Sequence, residues 1–257
     1  MKSGPGRLYE KLVFRGILRR WKKTARRAQS VDLSTLRSIR TRARELRRQI
    51  DKVLHVADAR LTLPLISSNA MQPPLHSDWA WRPELWRGPL NPTGMAAVRS
   101  KATLGDEVTI FHDCRISELT LRQIRNTQEE DLAPFGLRMD VFRFDGSFLS
   151  LAINLPNQAV SGLGRNHIVR LSTVVQMEKP LEIFARLNIR HGPNTEQVVR
   201  ELPRDSGEVA VDFDLAYTKL NEKRVDSMWV DLIFEGPEMN QITLRDATFS
   251  RRPRAEL

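Results

Sequence analysis

Residues 183–189 read Ile183-Phe184-Ala185-Arg186-Leu187-Asn188-Ile189, and apolar residues alternate there with aromatic, charged and amide side chains. A period of two places successive side chains on opposite faces of a β-strand, so one face of this stretch is apolar. The same alternation recurs at residues 209–215 and 230–234. These stretches therefore predict strands that cover a hydrophobic core with one face.

Short runs of this kind fill the chain from about residue 106 onward, without a helical segment of ten residues between them. Nine runs are predicted as strands, at residues 108–110, 119–124, 139–141, 149–155, 169–175, 183–189, 209–215, 230–234 and 242–244. Asp145-Gly146 is the strongest signal for a two-residue β-hairpin turn. Regular strands without crossover helices are typical of an antiparallel sandwich. We predict a mainly β protein with an antiparallel, jelly-roll-like β-sandwich over residues 103–257.

Parts of these strands resemble known families. The run Trp229-Val230-Asp231-Leu232-Ile233-Phe234-Glu235, the ending from Leu244-Arg245-Asp246 to Arg251–Glu256, and Ala185-Arg186-Leu187-Asn188 resemble an uncharacterised alphaproteobacterial protein family. That family has no assigned activity, so the resemblance implies a bacterial origin and no mechanism. The last two predicted strands, residues 227–235 and 240–251, resemble the closing strands of galactose-binding-like carbohydrate modules.

The positive charge is concentrated in residues 1–60, which hold 18 Lys+Arg and 5 Asp+Glu, against 23 and 26 in the rest of the 257-residue chain. This asymmetry is typical of a basic arm that meets a polyanion, joined to a near-neutral body. The beginning lacks the features of a secretory signal, and no run approaches about 18 apolar residues. We therefore expect a cytoplasmic protein, either free or peripheral on the inner membrane.

The first part of the basic arm is predicted to be an amphipathic helix. Phe14, Ile17, Leu18 and Trp21 share one face, and the opposite face is basic, with Arg15, Arg19, Lys22, Lys23 and Arg26. This pattern favours a helix that lies on an anionic membrane surface. The alternatives are packing on the body or the next helix, or an acidic protein partner. Nucleic acid is disfavoured because no nucleic-acid-binding motif accompanies the charge.

A second helix is predicted after a break at residues 30–32, with Asp32 or Ser34 as its N-cap. Its apolar residues follow a heptad and form a helix seam at Leu36, Ile39, Ala43, Leu46, Ile50, Val53 and Ala57. A heptad favours docking on a second copy of the chain or on a larger complex. The alternative is a helical hairpin with residues 8–28, or packing on the body.

Residues 61–102 are predicted to be a connector between the arm and the sandwich. Six of the 14 prolines lie there, which forbids a long helix, and so do Trp79, Trp81 and Trp86. Because a tryptophan buries a large apolar area, we expect this segment to wrap the body and to be pinned by these side chains. The alternative is an aromatic platform for a sugar ring.

Polar and aromatic side chains on the outward faces of the predicted strands are the candidate ligand-binding residues. They are Arg186, Asn188, Arg190, Asp212, Asp214, Trp229 and Asp231. Arginine, amide and carboxylate groups can hold sugar hydroxyls, and tryptophan can stack on a sugar ring, so this set predicts glycan binding. The alternative is a solvated sheet face with cross-strand Arg–Asp pairs.

Catalytic and metal-binding patterns are weak throughout the sequence. Asp212 and Asp214 share a strand face, as a glycoside hydrolase could require, but alternation produces such pairs routinely. In His112-Asp113-Cys114, neighbours on a strand point to opposite faces, and one cysteine cannot form an intramolecular disulfide. The histidines show no paired metal spacing. We expect a protein that is not an enzyme and has no cofactor or metal.

Overall fold

A computed structural model describes residues 5–62, 73–128, 131–203 and 207–254. The chain divides into two compact units, Met1–Leu54 and His55–Leu257. The helices are α1 (Pro5–Arg27), α2 (Leu33–Thr62), α3 (Glu84–Arg87) and α4 (Asn157–Val160), with a 3-10 turn at Glu222–Arg224. The two N-terminal helices of the basic arm are thus confirmed.

Thirteen strands follow the arm in the described part of the chain. They are β1 (Trp79–Trp81), β2 (Gly94–Ala96), β3 (Thr103–Leu104), β4 (Val108–His112), β5 (Leu119–Arg125), β6 (Phe135–Val141), β7 (Leu149–Asn154), β8 (His167–Met177), β9 (Ile183–His191), β10 (Asn194–Glu201), β11 (Glu208–Asp214), β12 (Val225–Phe234) and β13 (Asn240–Pro253). All nine predicted strands are present among them.

The strands form two sheets in which every pair of neighbours is antiparallel. Sheet I has the order β11-β8-β13-β6-β5-β2, with β1 also paired to β13, and sheet II has the order β10-β9-β12-β7-β4-β3. From β4 to β13 the chain moves back and forth between the two sheets, as in a jelly roll. The predicted antiparallel β-sandwich is confirmed.

The predicted hairpin at Asp145-Gly146 is wrong. Strand β6 belongs to sheet I and β7 to sheet II, so this turn carries the chain from one sheet to the other. A tight two-residue hairpin occurs instead at Gly192-Pro193, where His191 of β9 pairs with Asn194 of β10 and Gly192 has φ 58°. Turn propensity is local, and it cannot tell a hairpin from a crossing between sheets.

The core lies between the sheets and is built from the apolar side of each alternating strand. Ile110, Leu151, Leu187, Val230 and Leu244 are all completely buried. Each side chain of this size contributes about 1.5–3 kcal/mol when it leaves water. Because the core takes every second residue, the residues between them face outward, and these positions build the candidate site.

The connector contributes to the sandwich through a buried anchor at α3. Leu85 and Trp86 lie in the hydrophobic core, and the Trp86 indole N–H donates to the Leu244 carbonyl at 3.0 Å. The buried Gln123 amide donates to the carbonyl oxygens of Leu85 (2.6 Å) and Gly88 (2.8 Å), which fixes the short helix.

The other two connector tryptophans are half-buried in β1. The rings of Trp79 and Trp81 stack at 6.4 Å, and Trp81 lies 5.9 Å from the ring of Phe249. Pairing of β1 with β13 holds their backbone on sheet I. The connector tryptophans therefore pack on the sandwich, while residues 63–72 of the predicted connector lie outside the described residues.

The N-terminal unit shows how α2 begins. The Asp32 carboxylate accepts the Thr35 N–H at 2.9 Å and the Ser34 hydroxyl at 2.5 Å. These hydrogen bonds hold the pKa of Asp32 well below its usual range and confirm Asp32 as the N-cap.

The predicted seam of α2 is only partly covered. Leu36, Ile39 and Ala43 are half-buried, whereas Leu46, Ile50 and Val53 are exposed. The side chain of the last seam position, Ala57, lies outside the described residues. Docking through this seam stays a prediction.

Candidate functional site

A cleft of about 450 Å³ opens on the outer face of sheet II. Its volume lies in the range of sites that hold small-molecule ligands. The lining residues come from five strands and one loop: Phe111, Phe148, Ser150, Arg186, Asn188, Gln197, Trp229, Asp231 and Ile233. Aromatic and aliphatic side chains are thus combined with a few polar groups.

Small side chains on β7 create the depression. Ser150 and Ala152 face outward on this strand, yet they are only 6% and 4% exposed. In register with Ser150, the neighbouring strands carry the larger Ile233 and Phe111. Because bulky residues flank small ones, the outer face is hollow here instead of flat.

The loop before β7 supplies a further aromatic side chain to the cleft, Phe148, which is 44% exposed. The Asp113 carboxylate fixes this loop, because it accepts the Ser147 N–H at 2.7 Å, the Ser147 hydroxyl at 2.6 Å and the Phe148 N–H at 3.3 Å. The hydrogen bonds from Ser147 lower the pKa of Asp113. A fixed loop positions Phe148 before any ligand arrives.

A chain of hydrogen bonds forms the polar part of the cleft. Asp231 Oδ2 accepts from Arg186 Nη2 at 2.8 Å, from Arg186 Nε at 3.1 Å and from Asn188 Nδ2 at 2.9 Å. Gln197 Nε2 then donates to Asn188 Oδ1 at 3.0 Å. Cross-strand pairing of Arg186 with Asp231, and of Asn188 with Trp229 and Gln197, brings these groups together.

Two polar atoms in the cleft have no hydrogen-bond partner within the described part of the chain. The Ser150 hydroxyl is buried and has no hydrogen-bond partner among the described residues. Within the same described part of the chain, Asp231 Oδ1 accepts no hydrogen bond, since all three donors converge on Oδ2. A buried hydroxyl without a partner costs free energy, so it is a group that a ligand can satisfy.

The structure separates the seven candidate ligand-binding residues into two groups. Arg186, Asn188, Trp229 and Asp231 line the cleft. Arg190 follows Asn188 on the outer side of β9 but is exposed and does not line it.

The other two candidates, Asp212 and Asp214, lie on β11 in sheet I and cannot contribute to the cleft. Asp212 binds Arg170 at 2.6 and 2.8 Å and Arg252 at 3.1 Å. The hydrogen bonds and charge of Arg170 hold the pKa of Asp212 below its usual range, although partial burial acts in the opposite direction. Asp214 lies 3.5 Å from Arg254. For these two residues the geometry fits the alternative of a solvated face with Arg–Asp pairs.

Sequence reasoning missed five of the lining residues: Phe111, Phe148, Ser150, Gln197 and Ile233. The signal for Ser150 and Phe111 was present, because strand alternation already places them opposite the core residues Leu151 and Ile110. Gln197 lies on β10, whose side chains are mostly exposed and show no clear alternation.

Of the neighbouring reactive residues His112 and Cys114, the first is held by the backbone and the second is half-buried. His112 is buried and its Nε2 lies 2.8 Å from the Val98 carbonyl oxygen. Burial raises the pKa of the Cys114 thiol, which disfavours its nucleophilic form. Within the described residues no group of three His, Cys, Asp or Glu side chains could hold a metal ion. In that same part of the chain, no helix has the length and apolar character needed to cross a bilayer.

Comparison with solved structures finds proteins of low identity and low TM-score. The enzymatically active domain of tailspike protein 4 of bacteriophage CBA120 is 5% identical, with a TM-score of 0.40 over 56% of this chain. A family 11 carbohydrate-binding module from Clostridium thermocellum, in complex with a β-1,3-1,4-mixed-linked tetrasaccharide, is 9% identical, with a TM-score of 0.39 over 64% of this chain and 99% of its own. The CBM22-1 xylan-binding domain from Paenibacillus barcinonensis Xyn10C is 11% identical, with a TM-score of 0.35 over 63% of this chain and 94% of its own.

This chain spans only 19% of the tailspike chain. No curated protein sequence matches the chain. A family model, in contrast, matches residues 1–257, in agreement with the resemblance noted in the sequence. The chain therefore belongs to the Family of unknown function (DUF6478).

Proposed function

We propose that this protein is a non-enzymatic binding module that holds a saccharide in the cleft of sheet II. The observation that carries this proposal is the buried Ser150 hydroxyl without a partner, which lies in a cleft that also offers aromatic faces. A hydroxyl-rich ligand would satisfy Ser150 and cover the aromatic side chains at once.

The apolar part of the cleft suits the faces of sugar rings. Trp229 is half-buried and Phe148 is about half-exposed, so both rings are in part accessible. The face of an aromatic ring is electron-rich, and the C–H groups on one face of a pyranose can lie against it. Aromatic side chains on fixed elements lose little entropy when they bind.

The polar part of the cleft suits sugar hydroxyls, each of which donates and accepts a hydrogen bond. Asp231 Oδ1 offers an unused acceptor, and Ser150 offers both a donor and an acceptor. The Arg186–Asp231–Asn188 network holds these groups in place before binding. Such a fixed set of polar groups orients a ligand in a mainly apolar cleft.

A glycan array with the purified full chain tests this proposal. We expect a defined set of oligosaccharides to bind, and Trp229→Ala to weaken binding by at least about tenfold, because a central aromatic side chain carries a large share of binding energy. Tyr217→Ala is the control, because Tyr217 is an aromatic residue that is 84% exposed and does not line the cleft. The proposal fails if no saccharide binds, or if both variants bind like the wild type.

For the N-terminal unit we propose attachment to an anionic membrane surface. Phe14 and Ile17 on α1 are 64% and 51% exposed, and Leu18 is also exposed. The basic residues Arg15, Arg19, Lys22, Lys23 and Arg26 on the same helix are exposed as well. Apolar side chains entering the interface and basic side chains near lipid phosphates would act together.

Sedimentation with vesicles tests the attachment. We expect the full chain to pellet with vesicles that contain phosphatidylglycerol and not with purely phosphatidylcholine vesicles, and salt to weaken the binding. Phe14→Glu with Ile17→Glu should abolish pelleting, while Leu33→Glu, at an apolar position that is 72% exposed on α2, should not.

Two results would contradict attachment to the membrane. One is pelleting that is equal in all variants, and the other is an absence of pelleting. If pelleting is absent and Leu46→Asp changes the oligomer mass, docking through the α2 seam replaces the membrane as the role of the arm.

A further inference from the structure

We infer that the cleft selects uncharged saccharides over acidic ones, an inference that rests on the function proposed above. The lining residues include one cationic group, Arg186, and one anionic group, Asp231. The two lie 2.8 Å apart and neutralise each other. The described residues therefore give the cleft no net charge with which to attract an anion.

The arginine is already engaged as a binder of carboxylate. Its Nε and Nη2 both donate to Asp231 Oδ2, at 3.1 and 2.8 Å. Recognition of a ligand carboxylate usually uses two guanidinium N–H groups together. A uronic acid could use only the remaining Nη1 and Nη2 N–H groups of an arginine whose charge Asp231, a carboxylate that is only 6% exposed, already neutralises.

The unused groups of the cleft also disfavour an anion. Asp231 Oδ1 is a charged acceptor with no donor among the described residues. It attracts an O–H donor and repels a carboxylate or a sulfate, which can only accept. In a half-buried cleft this repulsion is screened less than at an open surface.

Arg190, a cationic residue outside the cleft, does not change the preference for uncharged saccharides. Arg190 is exposed on β9 and does not line the cleft, so water and salt screen its charge. Its side chain could attract an acidic ligand to the rim, but such an attraction would be weak and would fade at physiological salt.

Calorimetric titration of the full chain with matched oligosaccharides tests the inference. Glucose, galactose and mannose oligomers are compared with glucuronic, galacturonic and mannuronic acid oligomers of equal length. We expect the neutral member of a pair to bind at least about tenfold more tightly, the difference that about 1.4 kcal/mol produces. The affinity of the acidic member should not fall as the salt concentration rises, because the cleft offers no net positive charge for salt to screen.

Asp231→Asn tests directly whether the neutral Arg186–Asp231 pair sets the preference for uncharged saccharides. The substitution leaves Arg186 uncompensated, so the preference for the neutral member should shrink or reverse. Asp212→Asn is the matched control, because Asp212 also pairs with an arginine through two hydrogen bonds but lies on sheet I. That variant should keep the wild-type preference.

The outcomes separate this inference from the proposed function. If an acidic oligosaccharide binds the wild type as tightly as its neutral partner, and Trp229→Ala abolishes that binding, the cleft binds saccharides but the inference on charge is wrong. If no oligosaccharide of either kind binds, the proposed function fails and the inference fails with it. The comparison of neutral and acidic oligosaccharides on the wild type decides the matter even if Asp231→Asn does not fold.

Discussion

Replacing Arg82 with methionine will lower the free energy of unfolding by about 3–5 kcal/mol, the cost of removing one partner of a buried ion pair. Arg82 and Asp246 are 3% and 5% exposed. The guanidinium Nε and Nη2 donate to the two carboxylate oxygens at 2.9 and 2.8 Å. Without Arg82 the carboxylate of Asp246 stays buried without a cationic partner, and denaturant unfolding of the full chain will show the loss.

The pH dependence of the stability of Arg82→Met shows whether the loss comes from the unpaired carboxylate of Asp246. Burial already raises the pKa of Asp246 in the native protein, in spite of the charge and hydrogen bonds of Arg82. Without Arg82 that pKa rises further, so the folded variant binds a proton that the unfolded chain releases. The contribution of Asp246 to stability is then greatest below the ordinary carboxyl pKa of about 4 and falls as the pH rises. The difference in the free energy of unfolding between the wild type and Arg82→Met should be larger at about pH 7 than at about pH 4.

Arg170→Met is the matched control for Arg82→Met. Arg170 also binds an aspartate of the same sheet through two hydrogen bonds, but its side chain is 31% exposed. An ion pair of that exposure contributes about 0–1 kcal/mol to the free energy of unfolding. The double variant Arg82→Met with Asp246→Leu should recover most of the lost stability. Equal losses for Arg82→Met and Arg170→Met would contradict this account of the Arg82–Asp246 ion pair.

Trp86→Ala will lower the free energy of unfolding by about 3–5 kcal/mol, because it leaves a cavity where a fully buried aromatic side chain was packed. Trp86 is completely buried in the core, and its indole N–H donates to the Leu244 carbonyl at 3.0 Å. The substitution removes both the packing and the hydrogen bond that hold α3 in the sandwich. Thermal or denaturant unfolding measures the change.

Two substitutions calibrate the effect of Trp86→Ala. Trp86→Phe keeps most of the packing and loses only the hydrogen bond, so its cost should be about 1–3 kcal/mol. Trp79→Ala, at a half-buried position of β1, should cost less than Trp86→Ala. A Trp86→Ala protein that is as stable as Trp79→Ala would show that the connector is not anchored through Trp86.

The strands were predictable because burial imposes a period of two on the sequence. Leu149, Leu151 and Ile153 all face the core, and this pattern alone identifies β7. The edge strand β10 was missed because most of its side chains are exposed, so neither face carries an apolar signal. The short strands β1–β3 were missed because they lie in or beside a segment rich in proline and contain two or three residues each.

Sheet membership could not be predicted from the local sequence pattern, and this limit explains why the candidate ligand-binding residues are divided between two sheets. Asp212 and Asp231 both follow the same alternation, yet one lies on sheet I and the other on sheet II. The strands of sheet II come together from distant parts of the chain, with Phe111 on β4 and Gln197 on β10. The cleft is therefore a product of topology, and only its individual outward-facing residues could be found from sequence.

The most direct test of the central claim is to map saccharide binding on the full chain by NMR chemical-shift perturbation, with an oligosaccharide that the glycan array identifies. The account predicts that the shifted resonances cluster at Ser150, Arg186, Gln197, Trp229 and Asp231, which line the cleft. Shifts that cluster around Asp212 on sheet I, or shifts spread over the surface without a maximum at the cleft, would contradict it.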